Sequence, residues 1–195
     1  MTDESLVSAA HHEAGHVIMG QSQGFMPKYV EIEYNSTMKR WEGTTEFPPL
    51  SAPSVDEKIT IQIAVCVAGC FAQVKHAIRL VDPCELVPWK GLFEWMVFRS
   101  SEPFELSLSS GGRIHISSWW FEGQDKEVLD YIADQSNTRL GADRFVVLLQ
   151  QAVRQTAVPV LDDFESWGKL EYLANLLVNA TDEGVGRLES TQVPR

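Results

Sequence analysis

Two histidines and a glutamate carry the first chemistry in this chain. The run His12-Glu13-Ala14-Gly15-His16 puts imidazoles at i and i+4, with a carboxylate directly after the first. On a helix of 3.6 residues per turn the two rings share a face and can grip one metal ion. Glu13 then lies where it can take a proton from a metal-activated water, as a general base. The pattern points to a zinc-dependent hydrolytic centre holding Zn2+ through His12 and His16. Such a centre needs a third protein ligand and keeps one position open for water. The blander reading is an incidental helix face, with Glu13 a solvated acid. His11 sits about 100° around the helix from His12 and cannot share the metal in the same geometry, so it is expected at the surface.

These residues need a helix to hold them. Asp3 can cap one over residues 4–20, with Leu6, Ala9, Ala10, Ala14 and Val17 forming much of its apolar side. The Gly20 to Gly24 region ends it, and Pro27 blocks continuation. Tyr29 to Tyr34 alternates with period two and reads as a half-buried strand; Arg40 to Phe47 follows as a second, after a turn at Asn35 and Ser36. Asp56 to Ile78 reads as a long apolar helix rich in small residues (Ala64, Ala68, Gly69, Ala72), able to approach the first helix closely at Gly15. Because Thr60, Gln62 and Gln73 interrupt it, a buried helix is expected rather than a membrane span.

Residues 79–122 form an aromatic-rich insertion with Trp89, Trp95, Trp119 and Trp120. Within it, 104–109 and 113–118 read as a hairpin around Ser110-Gly111-Gly112. The tryptophans either pack a core or present a docking surface. Helices are expected over about 125–135, 142–157 and 161–179, and a frayed tail over 185–195. No linker divides the chain, so one domain over 1–195 is expected, mainly α (α+β), with a small sheet or hairpin beside the metal helix.

Sixteen basic against twenty-seven acidic residues give a net charge of -11. That balance argues against nucleic acid, which needs a basic stripe, and against simple attraction to anionic lipid, so no nucleic acid and no membrane partner is expected. Cys66, Cys70 and Cys84 are too few and odd in number for a secreted disulfide framework. With no leader, the expected location is cytoplasmic. The cysteines read as small apolar side chains; a second zinc site with His76 is the alternative.

Taken in order, these elements resemble the peptidase domain of the FtsH-type zinc metalloproteases. Ala9 through His16 is similar to that family's H-E-A-G-H helix. Glu42-Gly43-Thr44-Thr45 resembles its L-G-x-T element, and Val67 to Gln73 its G-G-R-x-A-E segment. Gly123-Gln124-Asp125 resembles the region supplying the third zinc ligand, an aspartate opening a helix. The resemblance thus implies a zincin-like fold, Asp125 as the third ligand, and cleavage of flexible or unfolded protein or peptide substrates. On its own residues Asp125 is also an ordinary first-turn acid, and His115, Glu122 and Asp130 are rival ligands. Cys70 and Gln73 replace an arginine and a glutamate of the family pattern. No G-x-x-x-x-G-K-[ST] loop occurs, so a separate ATPase, or a homo-oligomer as in the family's rings, is the further partner implied. Strand addition on one of the two strands would seat an extended peptide. The contrasting expectation is a non-catalytic binding or regulatory protein that retains the fold.

Overall fold

The computed structural model describes residues 4–81, 87–98, 104–107, 113–116 and 124–194. Asp3, Cys84, Glu122, Trp119, Trp120 and the Ser110-Gly111-Gly112 turn lie outside these residues, as does the side chain of His115. The described architecture is mainly helical with a small antiparallel sheet of four strands, consistent with the expected mainly α (α+β) class.

Helix α1, Glu4–Ser22, carries the H-E-x-x-H residues and buries Leu6, Ala9, Ala10, Ala14 and Val17. It closes where Gly24 takes φ +81° and Phe25 N–H donates to the Gly20 carbonyl. A left-handed residue there is what glycine supplies at least cost. Strands β1 (Tyr29–Asn35) and β2 (Arg40–Glu46) form a hairpin in which Tyr29 opposes Glu46. Its turn is held by Asn35 Oδ1, which accepts from the Thr37 and Met38 amides.

Helix α2, Val55–Val81, starts at Ser54, whose hydroxyl accepts from Glu57 N–H. By length and composition it could cross a membrane, yet 72% of its most apolar window is buried inside the fold. It packs along α1. Gly15 makes that approach possible: a Cβ there would stand 2.5 Å from the Ala68 carbonyl oxygen and 2.7 Å from the Ala72 methyl. The small-residue face of α2 is therefore a close-packing surface.

Helix α3, Trp89–Phe98, lies in the tryptophan-rich insertion, where no regular period marks it in advance. Trp89 and Trp95 are buried, and Phe93 stacks on Phe71 of α2 with ring centroids 4.3 Å apart. Strands β3 (Phe104–Ser107) and β4 (Arg113–Ile116) pair as the expected hairpin. Helix α4 spans Gln124–Leu140, beyond the expected end near 135. Helix α5 (Ala142–Gln151) passes through a wide π-helical stretch, Ala152–Ala157, into α6 (Val158–Asp162). The wide turns end just before Pro159, whose missing N–H leaves a gap in the regular ladder. Asp163 then caps α7 (Phe164–Asn179) through Ser166 N–H, so the last helix begins slightly later than the expected 161.

The tail is where expectation and structure part. Rather than fraying, Val185–Glu189 forms β6, which pairs antiparallel with β1 and with the short β5, Thr181–Asp182. The sheet order is β2-β1-β6-β5. Leu188 enters the core, while Arg187 pairs with Glu31 and covers the Tyr29 ring at 3.8 Å. Gly186 is required by crowding: a Cβ there would lie 2.6 Å from Thr181 Oγ1 and 2.8 Å from the Leu177 carbonyl. Burial of alternate residues anchors a segment whose polarity suggests solvent.

Candidate metal centre

The site forms where α1 crosses α2 and the first turn of α4. His16 points its Nδ1–H at the Val65 carbonyl, 2.7 Å away, which leaves Nε2 facing inward. His12 donates through Nδ1 to Gln73 Oε1 at 3.2 Å, and Gln73 Nε2 donates in turn to Ser8 Oγ at 2.8 Å. The Ser8 hydroxyl, able to accept or donate, completes this chain of bonds behind His12. Both imidazoles thus turn Nε2 towards one point. Fixing the far ring nitrogen in this way sets tautomer and orientation, as supporting groups do around metal-bound histidines.

Asp125, in the first turn of α4, completes the cluster. Its Oδ2 lies 2.9 Å from His12 Nε2 and its Oδ1 3.5 Å from His16 Nε2. Of the rival ligands, Asp130 instead pairs with Lys126 at the surface. Glu122 and the His115 side chain fall outside the described residues.

Glu13 is buried beside both imidazoles, the three ligand atoms lying within 4.8 Å of one another. Its Oε2 accepts from Thr45 Oγ1 of β2 at 2.7 Å, and Gly43 presses its backbone against the Glu13 side chain, leaving no room there for a Cβ. The Gly43-Thr44-Thr45 element therefore orients the carboxylate.

Two nitrogens and a carboxylate suit zinc by donor type. The space suits an ion as well. A Cβ on Gly69 would fall 2.5 Å from His16 Nε2 and 2.7 Å from His12 Nε2, so the bare glycine backbone leaves a cradle between the rings. Val65, Gly69 and Gln73 stand four residues apart on one face of α2, matching the four-residue step of His12 and His16 on α1. The sequence alone assigns no role to Gln73, Val65 or Thr45. For the two on α2, the one signal is that i, i+4, i+8 register, which acquires meaning once the two helices are known to touch.

His11 is not at the surface. It is buried, its Nδ1–H donates to the Val7 carbonyl at 2.8 Å, and its ring stacks on His76 at 3.6 Å. Because α2, α7 and β2 all pack on α1, a side chain one step around from His12 is still interior. Burial lowers the pKa of His11; burial and then His11 itself bring His76 down to about 4, so both rings are neutral. Cys84 lies outside the described residues, and among these no cluster of metal-ligating atoms joins His76 to Cys66 and Cys70. Those two cysteines are buried, as expected, but they face oxygens: Cys66 Sγ donates to the Asp125 carbonyl at 2.9 Å and Cys70 Sγ to Asp125 Oδ2 at 3.5 Å. Burial, then the Asp125 charge, pushes both thiols up, so both stay protonated.

The electrostatics yield a pH test. Burial works to lower the His12 pKa, but the Asp125 hydrogen bond and the Glu13 and Asp125 charges outweigh it and raise it to about 9. Burial works to raise Asp125, but His16 and His12 outweigh it and hold the carboxyl below its usual range. In metal-free protein His12 therefore keeps its proton through neutral pH and must release it to bind metal. Zinc affinity, measured by chelator competition, should rise about tenfold per pH unit from pH 7 and level off near pH 9. The metal-free fold shows the opposite trend. A raised histidine pKa stabilises fully below the unfolded value of about 6.5, and that contribution is lost as pH rises through about 9. Urea midpoints of metal-free protein should fall across that window.

Around the cluster runs an open cleft of about 1730 Å³. One wall is β2 with Phe47, Pro48 and Pro49; the other joins Val55, Ile59 and Gln62 of α2 to Val128, Tyr131 and Ile132 of α4. Among the described residues no strand pairs with the outer edge of β2, whereas β1 is flanked by β2 and β6. Of these two strands, β2 is the one with an edge left for strand addition. Set against known proteins, the chain matches no family model and no curated protein.

Proposed function

We propose that this protein is a zinc-dependent endopeptidase acting on flexible or unfolded polypeptide, with a zincin-like arrangement akin to the FtsH-type peptidase domain. One observation carries the reading: Asp125 meets the Nε2 atoms of His12 and His16 at 2.9 and 3.5 Å, with Glu13 buried alongside in an open cleft.

His12, His16 and Asp125 would hold the ion. When bound, zinc supplies Lewis acidity, which makes water a nucleophile near neutral pH and stabilises charge on the attacked carbonyl. Glu13 takes the proton from the attacking water and passes it to the leaving amine. Thr45 and Gly43 keep its carboxylate aimed while it does so. The free edge of β2 binds extended backbone whatever its sequence, and the apolar residues Val55, Ile59, Val128 and Ile132 suit the side chains an unfolded segment exposes. Of the four tryptophans that a non-catalytic binding protein could use as docking groups, Trp89 and Trp95 are buried, and Trp119 and Trp120 lie outside the described residues.

Purified protein should carry one zinc per chain and cut casein. Chelation should stop cleavage and added zinc restore it, while His12→Ala and Asp125→Ala proteins should retain no metal. Cleavage that survives complete metal removal would refute the proposal.

A further inference from the structure

We infer that Cys66 and Cys70 are positioning residues that aim Asp125 at the metal, an inference resting on Asp125 as a ligand. The two thiols stand one turn apart on α2, and both face oxygens of the same residue. Cys66 Sγ reaches the Asp125 main-chain carbonyl at 2.9 Å, and Cys70 Sγ reaches Oδ2 of its carboxylate at 3.5 Å. One bond holds the backbone of the first turn of α4; the other sets the rotation of the carboxylate. A cysteine that only fills space needs no oxygen partner, yet here both sulfurs have one. His12 and His16 are held from behind by Gln73 and Val65 respectively. The thiol pair gives Asp125 the equivalent support, and all of these holders come from a single helix.

Cys70 also has a competing role available. Its sulfur, a His12 nitrogen and an Asp125 oxygen lie within 4.8 Å of one another, so it could ligate directly. A positioning thiol and a ligand differ in what they leave on a metal spectrum.

The test measures zinc affinity by chelator competition for wild type, Cys70→Ser, Cys70→Ala, Cys66→Ser and Cys66→Ala, together with the absorption spectrum of cobalt-substituted wild type. Supporting groups around metal ligands are typically worth about 10–100-fold in affinity. We expect losses in that range for both alanine variants. The serine variants keep a donor and should bind more tightly than their alanine counterparts. Cobalt protein should show no sulfur-to-metal charge-transfer band. Space-filling cysteines would give the reverse order, alanine above serine, and would overturn the inference. A charge-transfer band lost in Cys70→Ala would overturn it too, by making Cys70 a ligand. Should Cys70→Ala fail to fold, the Cys66 pair and the wild-type spectrum still decide. Wild type that binds no metal refutes the ligand assignment itself; wild-type binding unchanged in every variant refutes only this inference.

Discussion

A Glu13→Gln protein should still take up one zinc per chain at saturating metal and cut casein about 10²–10⁴-fold more slowly, the range a positioned general base contributes. The substitution keeps size and shape, so the contact with Gly43 survives, and the amide oxygen can still accept from Thr45. The ability to take up a proton is removed, together with the negative charge that helps to raise the His12 pKa. His12, His16 and Asp125 are untouched, so metal content should not change. Turnover measured alongside metal analysis separates the two effects. Undiminished cleavage would remove Glu13 from the reaction.

Gly69→Ala should abolish metal binding, with affinity falling by more than about 100-fold, beyond the usual cost of losing a supporting group. Zinc sits about 2.0–2.1 Å from an imidazole nitrogen. The added methyl would stand 2.5 Å from His16 Nε2 and 2.7 Å from His12 Nε2, in the space between the rings. Neither ring turns away without breaking its bond to Val65 or Gln73. Gly168→Ala is the control. A Cβ there meets nothing within 4 Å, and alanine gains up to about 1 kcal/mol over glycine inside a helix. It should bind zinc normally and unfold at a higher urea concentration. Equal zinc affinity in the two variants would disprove the cradle.

The H-E-x-x-H helix is legible in the sequence because its information is local. His12, Glu13 and His16 lie within five residues, and one helical period fixes their common face. Asp125 is reachable only through resemblance, since no spacing rule connects it to His16. The supporting residues are hidden for a related reason. Gln73 and Cys70 look like polar and apolar members of an ordinary buried helix until α1 and α4 are laid against α2. Periodicity misplaces His11 because it gives an angle around the helix but not how many faces are covered. Strand β6 escapes notice since its buried residues, Gly186 and Leu188, are too few to stand out among Arg187 and Glu189.

Strand β6 follows every other element of the site in chain order, and this has a temporal consequence. Val185–Glu189 flanks β1, β1 supports β2, and β2 supplies Thr45 and Gly43 to Glu13. During synthesis the histidines emerge before Asp125, and the strand that completes the sheet bracing their neighbour emerges after both. Asp125 leaves the ribosome some sixty residues before that strand, so a nascent chain would hold its three proposed ligands before the sheet that braces Glu13 is complete.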